Sequence, residues 1–437
     1  MHVPRLASIA ACLVGLVGAA SPAGAQAPRP ERPYRGLFAG GVGDAQQSLV
    51  AHASFAGGYD DNIFLDLPGV GGIDPRNAQK GSLGSGSGSL SYSSNTDRST
   101  FGSSIGSQVR YYPGQADPYV GAHAANVGGS LRLGPRTTLS GGQSVAYQPY
   151  TFSSIFPTLF DPMLGQLDEP RLDQATSTEE YWSYNSKASL GHSFSPRVSF
   201  TSNYTFQQSD TAYGGGTFTR QGGYAGFGFT LSRGLVLRLG YGLQEGHYPN
   251  GGDTVRNHTG DIGVDFSRAL SFSRRTSVSF TTGTAVLERD GNTSYRATGS
   301  ARLNHEIGRS WSATAGYDRS VRFVDLLLEP VLSDSVDANL GGLVSRRVQV
   351  QSGVRVSIGT IGFGSTSRNS SYDTYQATAN FSVALTRSLQ LGTTYSFFHY
   401  TFDDAAVLPV GVAQDVDRQS VRVYMSLWAP LVNKARR

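Results

Sequence analysis

From Val348 to Ile358 the apolar residues fall on alternate positions: Val348, Val350, Val354, Val356 and Ile358 are separated by Gln349, Gln351, Gly353, Arg355 and Ser357. Period two sends one set to one face of a β-strand and the other set to the opposite face, so the strand divides two different solvents. The alternation recurs in Val198, Phe200, Tyr204 and Phe206, in Leu235, Leu237, Leu239, Tyr241 and Leu243, and in Tyr375, Ala377, Ala379, Phe381, Val383 and Leu385. Soluble half-buried strands usually stop at about five or six residues. These hold their alternation over about twice that length, enough for a tilted strand to cross a bilayer. In hydrocarbon every backbone donor and acceptor must be satisfied within the protein, so such strands close on themselves. The expected fold is all-β, a transmembrane antiparallel up-and-down β-barrel.

The turns support that expectation. Tight polar turns fall at Asn95 to Arg98, Gly134 to Arg136, Ser195 to Arg197, Ser232 to Gly234, Ser271 to Arg275, Gly308 to Ser310, Ser345 to Arg347 and Thr386 to Ser388. Longer connections alternate with them, the largest from Asp60 to Lys80, Tyr150 to Thr178 and Asp403 to Asp417. Short periplasmic turns alternating with long extracellular loops are the mark of an outer-membrane barrel. The series predicts about 18 strands; 16 is the alternative, because the Gly- and Ser-rich stretch Gly81 to Ser94 is a weak strand former.

Targeting and composition sharpen the picture. Arg5, the apolar run Leu6 to Ala20 and the small residues Ala23, Gly24 and Ala25 read as a cleaved signal peptide over residues 1–25. A leader at 26–47, a barrel at 48–431 and a basic tail at 432–437 follow, in a Gram-negative outer membrane. Cys12 is the only cysteine, so no disulfide is expected in the mature chain. A net charge of +4 is too small for nucleic-acid binding.

Candidate chemistry lies on the face opposite the apolar one. Arg110, Arg132, Lys187, Arg238, Arg296, Arg302, Arg322, Arg355 and Arg422 fall there, with Asp261, Asp265, Glu306, Asp318 and Asp337. A barrel of this size leaves an aqueous lumen unless it is plugged, and basic side chains lining it favour anions. Cross-strand salt bridges are the plainer reading of the same residues. Tyr181, Phe398, Tyr400 and Tyr424 share that face and are candidates for stacking on sugar rings, or for filling space near the rims.

Phe152, Ile155, Phe156, Leu159, Phe160, Met163, Leu164 and Leu167 crowd one loop, with prolines at 149, 157, 162 and 170. So apolar a loop is expected to pack, either as a constriction in the lumen or as a lid against other loops. Asp60, Asp61, Asn62 and Asp66 resemble a calcium-binding cluster, although an ordinary strand-to-loop transition produces the same residues. The eight histidines are dispersed and no serine sits in a nucleophile motif, so no enzyme and no cofactor is expected.

Gly58-Tyr59-Asp60-Asp61-Asn62-Ile63-Phe64, the hairpin series, and the closing Val421-Arg422-Val423-Tyr424-Met425-Ser426-Leu427-Trp428 together resemble a family of outer-membrane β-barrel proteins. That family is found with exopolysaccharide synthesis and export systems in Gram-negative bacteria. The resemblance implies a pore for export or surface passage of a polysaccharide, working with periplasmic export machinery. A general or weakly anion-selective diffusion porin for small anionic solutes is the alternative, and a plugged structural or surface-binding barrel a second. Outer-membrane lipid is the expected surrounding in each, and the sequence leaves the oligomeric state open.

Overall fold

The computed structural model describes residues 45–62, 81–113, 119–151, 175–210, 216–247, 254–270, 273–289, 292–323, 330–361, 370–403 and 414–435. The strands are β1 (Ala45–Asp60), β2 (Gly81–Asn95), β3 (Ser99–Tyr111), β4 (Tyr119–Gly134), β5 (Thr137–Thr151), β6 (Ala175–Ser195), β7 (Val198–Asp210), β8 (Thr217–Ser232) and β9 (Leu235–His247). They continue as β10 (Thr254–Leu270), β11 (Ser273–Arg289), β12 (Asn292–Ile307), β13 (Trp311–Arg322), β14 (Val331–Leu343), β15 (Val348–Ile361), β16 (Ser370–Ala384), β17 (Leu389–Phe402) and β18 (Asp415–Ala435). Each strand pairs antiparallel with the next, and β1 pairs with β18, so the 18-stranded sheet has no free edge. The weak stretch Gly81 to Ser94 is a strand, which settles the count at 18 rather than 16.

Local chemistry makes the tight turns. The hydroxyl oxygens of Thr96, Ser195, Ser345 and Thr386 each accept from the backbone N–H groups two and three residues ahead, at 2.9–3.4 Å. One short side chain thereby satisfies donors that the ladder cannot reach. Gly308, at φ 62°, takes the left-handed conformation in the turn after β12. By the length rule this turn end is periplasmic.

The outer face is apolar and open. Ile105, Val354, Val356, Ile358, Val421 and Val423 are exposed, while the alternating Arg355 and Ser357 and their partners Gln376 and Thr374 on β16 are buried. A 13-residue strand such as β3, at about 3.3 Å per residue and about 40° of tilt, rises roughly 33 Å and clears an apolar band of about 25 Å. The barrel therefore spans an outer membrane.

Aromatic pairs stand on the same outer face, with Tyr147 against Trp182 at 4.9 Å and Tyr111 against Tyr119 at 5.2 Å between ring centroids. Toward the loop side the outward positions turn polar, with Arg256 paired to Glu245 at 2.8 Å and Arg319 to Asp334 at 3.0 Å. That change marks the headgroup level. On β2, whose outward positions carry glycine, the Phe55 ring lies 3.7 Å from where a Cβ on Gly86 would stand and covers the gap.

Two boundaries differ from the expectation. Residues 432–435, read as a tail, continue β18, and Ala45 to Gln47, read as leader, begin β1. Val432, Asn433, Lys434 and Ala435 find backbone partners in Leu49, Ser48, Gln47 and Ala45. A ladder partner at the other end of the chain leaves no local sign. Residues 1–44, including the stretch read as a signal peptide, lie outside the described residues.

Candidate functional site: lumen wall and closing seam

The register carries one parity around the whole barrel, so every side chain on a strand has an assigned face. Arg110, Arg132, Lys187, Arg238, Arg296, Arg302, Arg322, Arg355 and Arg422 all stand on the inward set. Arg220 on β8 and Arg418 on β18 join them, both missed in the sequence. Asp265, Glu306, Asp318, Asp337 and Asp60 are the inward acids, while the side chain of Asp261 lies outside the described ones.

Ion pairing sorts these residues. Arg238 pairs with Asp265 at 2.9 Å, Arg322 with Asp318 at 2.8 Å and Arg355 with Asp337 at 3.0 Å. The Arg355 pair has a seat: Gly316 on β13 faces Asp337, and a Cβ there would stand 2.8 Å from Asp337 Oδ1. A larger residue at 316 would push the carboxylate off the wall and away from Arg355. Arg110 is buried and donates from Nη1 to the Tyr112 hydroxyl at 3.3 Å.

The first-strand motif joins the two ends of the chain. Arg418 donates from Nε to both oxygens of Asp60 at 3.1 Å, and from Nη2 to Asp60 Oδ2 at 2.7 Å. Their side chains are 5% and 1% exposed, so this is a desolvated, two-pronged pair. Beside it the Gln419 N–H donates to Asp61 Oδ1, and Asn62 Nδ2 donates to the Asp417 carbonyl at 2.7 Å. Of the cluster weighed against a strand-to-loop transition as a calcium site, Asp60 is engaged by a guanidinium and Asp61 by a backbone N–H, and Asp66 lies outside the described residues. Among the described residues no group of three or more His, Cys, Asp or Glu is placed to hold a metal.

Gly58 completes the seam. A Cβ there would collide with the Val421 carbonyl oxygen and stand 2.6 Å from Arg422 Cγ. Backbone cannot yield as a flexible side chain does. Gly57, on the outer face, has nothing nearer than the Leu83 oxygen at 4.0 Å. Gly58→Val is therefore expected to abolish the fast-migrating, SDS-resistant form of the unheated barrel on a gel, with Gly57→Val retaining it. Equal retention in both would show that the seam tolerates a side chain.

The inward aromatics are covered. Tyr181, Phe398 and Tyr400 are each less than a tenth exposed, and Phe398, Tyr400 and Phe402 pack edge to face at 5.6 and 5.3 Å. Tyr424 lies over Gly392 and its hydroxyl bonds Asn380 and Gln390. The apolar loop residues Phe152, Ile155, Phe156, Leu159, Phe160, Met163, Leu164 and Leu167 lie outside the described residues.

No protein-family model matches the chain, and no curated protein matches it. Solved structures similar to it include Pseudomonas aeruginosa OccK2 (OpdF) in complex with glucuronate, at TM-score 0.44 and 10% identity over 91% of this chain and 100% of that one. Acinetobacter baumannii OccAB4 is similar at TM-score 0.42 and 12% identity, over 89% and 99%. The siderophore receptor PirA from Pseudomonas aeruginosa is similar at TM-score 0.40 and 9% identity, over 89% and 81%. Likeness at this level says nothing about what, if anything, crosses this barrel.

Proposed function

We propose that the chain is an outer-membrane diffusion pore for small hydrophilic solutes with a preference for anions. The observation that carries this reading is the inner wall of a closed 18-stranded barrel, on which basic side chains outnumber acidic ones and several stand exposed without a partner among the described residues. Barrels of 16–18 strands are wide enough to hold an aqueous channel, and uncompensated cations lining one raise the local concentration of anions. Polysaccharide passage, implied by the family resemblance, draws less support, because three of the four aromatic rings available for stacking on sugars are covered by neighbours.

The test is conductance of the refolded protein in planar bilayers under a KCl gradient. Discrete steps with a reversal potential on the chloride side support the proposal. Silence, or cation preference, overturns it, and silence leaves a closed structural barrel as the reading.

A further inference from the structure

The inward cations include two classes that their sequence positions do not distinguish. Arg238, Arg322, Arg355 and Arg418 are each held by a carboxylate at 2.7–3.0 Å. A passing ion meets such a pair as a dipole, and in an aqueous lumen a dipole's field fades well within the Debye length of about 10 Å. Lys187 on β6, Arg302 on β12 and Arg132 on β4 are different. All three are exposed on the inward face, and among the described residues their side chains have neither an ion pair nor a hydrogen bond.

Their surroundings keep them so. Lys187 stands opposite Gly142 on β5 and Thr205 on β7, with Asn185 and Ser189 flanking it on its own strand. Arg302 stands opposite Ser279 on β11 and Gly316 on β13, with Ser300 and Asn304 flanking it. The nearest acids by register are Asp318, already held by Arg322 and Ser320, and Asp337, beyond Gly316 and already held by Arg355; Glu306 lies four residues along the strand from Arg302. Four residues of extended chain span about 13 Å, beyond the reach of a direct pair.

Depth matters as much as charge. Counted from the periplasmic strand ends at Gly134, Ile307 and Ser195, Arg132 stands roughly 5 Å, Arg302 roughly 13 Å and Lys187 roughly 20 Å into the barrel. The three cations thus stand at staggered depths, about 7–8 Å apart along the axis, on separate sectors of the wall.

We infer that Lys187 and Arg302, with Arg132 at the periplasmic mouth, determine the charge preference of the lumen. The clamped arginines contribute to wall structure instead. The solutes favoured are small mobile anions recognised by charge rather than by shape, since glycine, serine and threonine around the free cations offer no fitted pocket. This inference rests on the pore reading above.

Reversal potentials in a KCl gradient test it with wild type, the double variant Lys187→Gln/Arg302→Gln, and the control pair Asp337→Asn/Arg355→Gln. The double variant is expected to lower the chloride-to-potassium permeability ratio by about two-fold or more, and the control pair to change it by less than about a fifth. Arg132→Gln is expected to act mainly on current entering from the periplasmic side. Because neither free cation has an ion pair or a hydrogen bond among the described residues, the Lys187→Gln/Arg302→Gln variant should keep the fast-migrating folded form on gels, which separates charge from misfolding. An unchanged ratio in a folded, conducting double variant overturns the inference while leaving the pore intact. A larger shift from the control pair overturns it too. A silent wild type removes the pore reading and this inference together.

Discussion

Asp60→Ala is expected to destabilise the barrel by about 3–5 kcal/mol, because it strands the buried Arg418 guanidinium without its counter-charge. The pair is bidentate, its side chains are almost wholly covered, and it links residues 358 apart in sequence. Losing it therefore weakens the one strand contact that converts an open sheet into a barrel. Arg418→Ala should cost a similar amount. The double variant should cost less than the sum of the two, since the second substitution removes the charge that the first left unpaired. Denaturant unfolding of the detergent-refolded protein, followed by tryptophan fluorescence, measures all three. As a reference, Glu245→Ala removes the partly exposed outward pair with Arg256 and should cost no more than about 1 kcal/mol. Comparable losses at the two sites would mean that the seam has no special weight.

The second large effect concerns the outer wall. Val354 lies near the middle of β15 and is 53% exposed, while Gln351, three residues away, faces the lumen. Val354→Arg is expected to destabilise the membrane-inserted barrel by about 2–4 kcal/mol, the cost of a cation facing lipid near the bilayer midplane. Gln351→Arg places the same side chain in aqueous surroundings and should change stability by less than about 0.5 kcal/mol. Folding each variant into vesicles and titrating with urea distinguishes them. Were Val354→Arg as harmless as Gln351→Arg, the apolar face would not be meeting lipid.

Much of this architecture is local, and local physics is legible in a sequence. Which face Val354 or Arg355 takes depends on the pleat, whose period of two needs only neighbours at i and i+2. Turn positions depend on a Ser or Thr hydroxyl and the two or three residues that follow it, as at Ser345 and Thr386. Even β2, with little side-chain surface of its own, is set by hairpin continuity with β3 and by the Phe55 ring laid across it.

The face each residue takes along a strand, and a count narrowed to 18 or 16 strands, were therefore readable from the chain alone. Pairing across the barrel was not. The Asp60, Asp61 and Asn62 run looks like a cation site until closure brings Arg418, Gln419 and the Asp417 carbonyl beside it. Arg418 itself sits at the edge of a long loop, where alternation is too short to assign a face. The same limit hid the division between clamped and free cations, because whether Arg355 or Arg302 has a carboxylate partner depends on the register of a neighbouring strand. Alternation along one strand is a one-dimensional property and the sequence by itself determined it. Closure and charge pairing are relations between strands, and only the tertiary structure decided them.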